Sequence, residues 1–85
     1  EKPERLKLSG DVIVTEIPVP KWMDGKSVQE IGLRKNFGVS IFLVNEFRKG
    51  KDPSMVTPSA DYILRDGDTM LVSGLEENID KVMKM

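Results

Sequence analysis

The charged residues close enough in sequence to share a ligand or a proton fall into four groups: Asp66-Gly67-Asp68, Glu76-Glu77 with Asp80, Arg34-Lys35, and Arg48-Lys49-Gly50-Lys51. Asp66 and Asp68 place oxygens at alternate positions, as a calcium loop does. Such a loop must continue to a bidentate Glu near its twelfth position, and Thr69-Met70-Leu71-Val72 supplies mostly apolar side chains there. A tight turn accounts for the same residues, since Gly enters positive φ without steric cost and Asp side chains bond local backbone. As a turn, the segment should tolerate Asp66→Asn and Asp68→Asn but not Gly67→Val. Glu76, Glu77 and Asp80 suggest a carboxylate site, but acidic residues early in a helix are already favoured by the macrodipole. Arg48 to Lys51 is too short for a nucleic-acid patch and has no interleaved aromatics. The chain contains no His and no Cys, which removes the commonest general base, the thiolate nucleophile and the usual transition-metal ligands. No Gly-rich phosphate loop, dinucleotide fingerprint or Ser-His-Asp set is present, so the residues favour binding over catalysis.

The elements that would position these groups follow from periodicity. Thr69 to Ser73 is a short apolar run closed by Gly74 and fits a buried strand; from Leu75 the period changes, and Leu75, Ile79, Val82 and Met83 form one helical stripe. Asp11 to Val19 alternates β-branched residues and reads as a strand that Pro18 and Pro20 end or hold at an edge. Trp22, in the loop that follows, reads as a lid over the edge of the core. Ser27-Val28-Gln29-Glu30 matches a capping box, so a helix starts at Ser27; Gly32 is placed to end it after one or two turns, with Leu33 folding back on Val28 and Ile31. Arg34 and Lys35 then fall just past the helix C-terminus, where cations are favoured. Phe37-Gly38 turns the chain into Val39 to Phe47, whose adjacent apolar residues Ile41 to Val44 predict a central strand covered on both faces. Met55 to Thr57 is a brief strand stopped by Pro58, and Asp61 to Leu64 is extended.

These elements make an α+β domain: a small mixed or antiparallel sheet, a short helix after the first strand and a C-terminal helix. Eighty-five residues suffice for one domain with a marginal core, which favours self-association. The net charge of −1 gives no field that would favour nucleic acid or an anionic membrane. The apolar run Ile41 to Val44 is far below the ~20 residues that span a bilayer. Residues 1–10 read as a polar leader and 11–85 as the domain, and the start without Met suggests a piece of a longer protein.

Three blocks in this order resemble the TrkA-C (RCK-C) domain, the C-terminal domain of regulators of potassium conductance and transport. They are Val12 to Val19 with its Pro20 exit, GKSVQEIGLRKNFGVSIFLV from Gly25 to Val44, and the span from Pro58 through Asp61 and Leu64 to the Gly67-Asp68 turn, strand and Gly74. Leu75 departs from the pattern, since the family often has Ser or Thr there to cap the last helix, and no Rossmann half precedes the domain in this chain. The resemblance implies a homodimer with a regulatory, non-enzymatic role on the cytoplasmic side of a membrane-embedded cation channel, potassium uptake system or antiporter. It also implies a possible regulatory ligand, cyclic di-AMP, which some members bind between two subunits. The Arg that contacts phosphate in those members corresponds by position to Arg34, with Val28 and Ser40 as neighbours; no metal and no required cofactor are implied. The alternative is a purely structural dimerisation module without a small-molecule ligand.

Overall fold

A computed structural model describes residues 5–85. The elements are β1 (Leu6–Ser9), β2 (Val12–Pro18), a 3-10 turn (Lys21–Met23), α1 (Val28–Ile31), α2 (Leu33–Phe37), β3 (Ser40–Glu46), β4 (Ser54–Val56), β5 (Thr69–Leu75) and α3 (Glu76–Lys84). The strands form one sheet in the order β1-β2-β5-β3-β4, and every neighbouring pair is antiparallel. This is the α+β class read from the sequence, with the sheet antiparallel throughout.

Register sorts the side chains onto two faces, because cross-strand partners point the same way. Thr15, Val72 and Ile41 share one face with Ile17, Met70 and Val44. That face packs with Ile31, Leu33, Ile79 and Val82 into a single core. The opposite face carries Leu6, Val14, Leu71, Leu43 and Met55, and none of these is buried. Its polar residues satisfy one another, with the Glu16 carboxylate accepting from Asn45 Nδ2 at 3.0 Å and from the Thr69 hydroxyl.

The short helices are possible because their ends are occupied. Ser27 Oγ accepts from the Glu30 amide at 3.1 Å and the Ser27 amide donates to Glu30 Oε1 at 3.2 Å, which is the capping box expected. The Val28 and Gln29 amides, the other free donors of α1, go to the carbonyls of Tyr62 (3.0 Å) and Ala60 (2.9 Å). Gly32 ends α1 in the left-handed region at φ 62°. The chain then makes a second short helix, so Arg34 and Lys35 lie within α2 rather than beyond the helix end. Asn36 Nδ2 reaches back to the Ile31 carbonyl at 3.0 Å and stabilises this junction. Trp22 lies over the core edge as expected, and its indole N–H donates to the Val82 carbonyl at 3.0 Å, satisfying a carbonyl in the last turn of α3.

The structure differs from the sequence reading elsewhere. Leu6–Ser9 of the expected leader forms β1, paired with β2; residues 1–4 lie outside the described residues. β3 is an inner strand but not the central one, a place taken by β5, and it is covered on one face only. A bulge between Ile41 and Leu43 leaves Phe42 as the extra residue, 43% exposed. Leu75 is the N-cap of α3, exposed and without a side-chain cap bond, so the buried stripe of that helix is Ile79 and Val82 alone.

Asp68 is the largest local departure. The Gly67 turn forms as expected, at φ 99°, but Asp68 is only 1% exposed. Its Oδ1 accepts from the Phe47 amide at 3.1 Å and from Arg48 Nη1 at 2.6 Å, and its Oδ2 has no partner. Arg48 also faces Glu46, whose carboxylate accepts a hydrogen bond from the Tyr62 hydroxyl. Burial first, and then the bond to Glu46, pushes the Tyr62 phenol up to about 12.

Four outcomes are expected. Asp68→Ala should lower the unfolding free energy by about 1–3 kcal/mol in denaturant titrations, because it leaves the Phe47 amide without its acceptor. Asp68→Asn should also destabilise, since its amide donor would occupy the unpartnered Oδ2 position. Gly74→Ala should cost about 1–3 kcal/mol, because a Cβ at that position would lie 2.9 Å from the Gly38 carbonyl oxygen, a backbone atom that cannot swing aside as a flexible side chain would. The Tyr62 phenol is raised above its ordinary 10.0, so the stability it contributes is intact below pH 10 and is lost as pH rises towards about 12. Melting curves across that window should show a steeper loss for the unsubstituted chain than for Tyr62→Phe, and a loss equal in both would refute the assignment.

Candidate functional site

The two short helices, the first residues of β3 and the loop after β4 enclose a groove of about 340 Å³. α1 supplies Val28 and Gln29, Gly32 and Leu33 follow at the junction, α2 supplies Arg34 and Lys35, Val39 to Ile41 form the floor, and Pro58 closes one side. The walls are mainly apolar, while Arg34 and Lys35 are exposed at the rim. Neither cation is in an ion pair among the described residues. The volume lies at the low end of the ~300–1,000 Å³ usual for ligand pockets. An apolar floor with two cations and a hydroxyl at its edge can hold a flat ring against the walls and an anionic oxygen at the rim. Its lining contains no nucleophile paired with a base.

Val28, Arg34 and Ser40 all line this groove. The helix break at Gly32 brings them together: α2 starts in a new direction there and carries Arg34 to the same opening as Val28. The acidic group near the C-terminus is elsewhere, in a second depression lined by Asp11, Glu76, Glu77 and Asp80. It is no carboxylate pair waiting for a proton, because Arg5 reaches Glu76 at 2.7 Å and Asp80 at 3.2 Å. Among the described residues no cluster of three or more acidic, His or Cys side chains could hold a metal. Sequence reasoning missed Lys35, Gln29 and Pro58 as groove residues. Lys35 was legible as a neighbour of Arg34, but Pro58 reaches the site through the tertiary path of its loop and left no local signal.

The model of the TrkA-C domain family matches residues 12–85. The chain belongs to the TrkA-C domain family. Solved structures agree with that membership. The RCK domain of GsuK matches with a TM-score of 0.68 at 27% identity, over 87% of this chain and 16% of that one. The GsuK channel bound to NAD matches with a TM-score of 0.67 at 27% identity, over 87% of this chain and 13% of that one. The RCK C domain of the potassium transport protein KtrA, in complex with cyclic diadenosine monophosphate, matches with a TM-score of 0.67 over 84% of this chain and 79% of that one; at 21% identity it bears on the fold alone. No curated protein matches the chain. This TrkA-C domain thus spans only a small part of the GsuK chains it resembles, and its structural neighbours are RCK domains of potassium channel and transport proteins. No helix among the described residues is long and apolar enough to cross a membrane.

One outcome follows from the way the groove is built. Ser27→Ala removes the side-chain cap of α1 and should cost about 1 kcal/mol of stability in a thermal melt, whereas Ser27→Asp should hold it. Equal melts for Ser27→Ala and the unsubstituted domain would show that the amide bonds to Tyr62 and Ala60 hold α1 by themselves.

Proposed function

We propose that this TrkA-C domain is the ligand-sensing and dimerising regulatory module of a potassium or other cation transport protein, working on the cytoplasmic side of the membrane. The observation that carries this reading is the groove, where Val28, Arg34 and Ser40 meet around an apolar floor with a second cation, Lys35, at the rim. Such a surface suits a nucleotide, with a base against Val28 and Ile41 and a phosphate in the fork of Arg34. Two copies related by a two-fold axis would present two forks to a two-fold dinucleotide, and cyclic di-AMP is the ligand proposed. A second feature supports pairing: next in sequence to Ile41 of the floor, Phe42 is exposed and offers apolar surface near the groove. The same apolar surface favours a runner-up, a dimerisation module that closes its grooves against each other and takes no ligand.

The two readings separate in solution. Light scattering at tens of micromolar should give a dimer mass; a strictly monomeric mass would exclude both readings for this piece. Cyclic di-AMP should raise the melting midpoint by mass action, and Arg34→Ala should leave dimer mass and unliganded midpoint nearly unchanged while abolishing that rise. No calorimetric heat and no binding at millimolar nucleotide would leave the ligand-free module as the function.

A further inference from the structure

Behind the α1 side of the groove runs the strap from Pro58, which touches the groove, to Leu64, which is fully buried in the core; between these ends it is attached on two sides. Towards α1 the attachment is backbone: the Tyr62 carbonyl accepts from Val28 at 3.0 Å, the Ala60 carbonyl from Gln29 at 2.9 Å, and the Leu64 amide donates to Lys26 at 2.9 Å. Ser27 and Ile63 form an antiparallel bridge between them. Val28 and Gln29 line the groove, so the strap backs the α1 wall through their amides and itself reaches the groove at Pro58. Towards the sheet, the strap has one side-chain hydrogen bond among the described residues, from the Tyr62 hydroxyl to Glu46 at the end of β3. Glu46 lies 3.8 Å from the Arg48 guanidinium, which is itself held by buried Asp68 at 2.6 Å. The tether therefore ends on the last residue of β3, beside the Arg48–Asp68 pair.

We propose that Tyr62 is a positioning residue of the groove: the hydrogen bond from its hydroxyl to Glu46 fixes the strap, and through the Val28 and Gln29 amides it fixes the wall against which a phosphate-bearing ligand is held. The identity of the ligand rests on the nucleotide reading above; the geometry of the wall does not. Tyr62 packs partly against the core through its ring, so replacing it with Phe removes the tether while keeping the packing. A ligand would then have to order the strap as it binds, and its affinity falls by that cost.

The test uses the 85-residue chain with Tyr62→Phe, Glu46→Ala, Glu46→Gln and the double variant Tyr62→Phe/Glu46→Ala. Each is titrated with cyclic di-AMP by calorimetry and followed by amide hydrogen exchange at Val28 and Gln29. Tyr62→Phe and Glu46→Ala should each weaken binding about tenfold, and the double variant should be no worse than either alone. Glu46→Gln, which still offers the hydroxyl an acceptor, should stay within about twofold. The two amides should exchange faster in the first two variants and stay protected in Glu46→Gln. Unchanged exchange in Tyr62→Phe overturns the proposal, as does faster exchange with unaltered affinity. If the unsubstituted chain takes up no cyclic di-AMP, the nucleotide reading falls and exchange alone decides: faster exchange in Tyr62→Phe and Glu46→Ala, with protection in Glu46→Gln, upholds the positioning role, and equal rates in all variants overturn it.

Discussion

Burial on one side of the sheet is the constraint from which the rest of this domain follows. α3 and the buried residues of α1 and α2 pack on a single face, where Ile13, Ile17, Met70, Val72 and Val44 meet Ile31, Leu33, Ile79 and Val82. In so short a chain this is most of the apolar surface that can be removed from water. The elements around that core must therefore be held by their ends rather than by their areas. α1 has four residues and α2 has five, lengths at which a helix in water has no stability of its own. The capping box, the two amide bonds to the strap, the left-handed Gly32 and the Asn36 bond across the junction supply what burial does not. The same economy brings the Gly38 and Gly74 backbones together, where any side chain on Gly74 would push β5 away from the end of α2.

A groove formed this way combines rigid and adaptable parts. Val39 is buried and fixed, and Leu33 with it. Arg34 and Lys35 extend from a helix of little more than one turn, while Pro58, from the loop after β4, closes another side. What the groove offers a partner is shape, from its apolar floor, and charge, from the two cations at its rim.

How much of this was legible in the sequence depends on where each signal resides. The capping box, the Gly32 stop and the Gly67 turn are local events written in adjacent residues, and they formed as read. Arg34, Val28 and Ser40 could be named together because the resemblance supplied their proximity; spacing alone did not, since the break at Gly32 and the helix after it are too short to leave a period. β1 was read as leader although Leu6 and Leu8 alternate with Lys7 and Ser9, because all four side chains remain exposed and four residues are a weak signal. The run Ile41 to Val44 implied cover on both faces, yet a bulge rather than a second layer explains it, with Phe42 turned outwards. Asp68 was the least legible residue. In sequence it is one acid of a turn, and only the fold shows that the ends of β3 and β5 meet over its carboxylate.

The sheet margins carry a consequence for how such domains can aggregate. A margin of unpaired amides and carbonyls is a template on which foreign chains add as extra strands, and long flat margins lead to fibres. Here one margin is β1, four residues with an irregular register against β2, and the other is β4, three residues set between Pro53 and Pro58. Beyond the reach of β1, the open flank of β2 runs out at Pro18, which has no amide to offer. On the other side β4 pairs only with Val44 to Glu46, and the flank of β3 it leaves open, Ser40 to Leu43, is broken by the bulge at Phe42. Among the described residues the margins thus offer only short, interrupted runs of backbone to a foreign strand, which places the choice of any partner with the side chains and so with the sequence, rather than with the backbone that every protein shares.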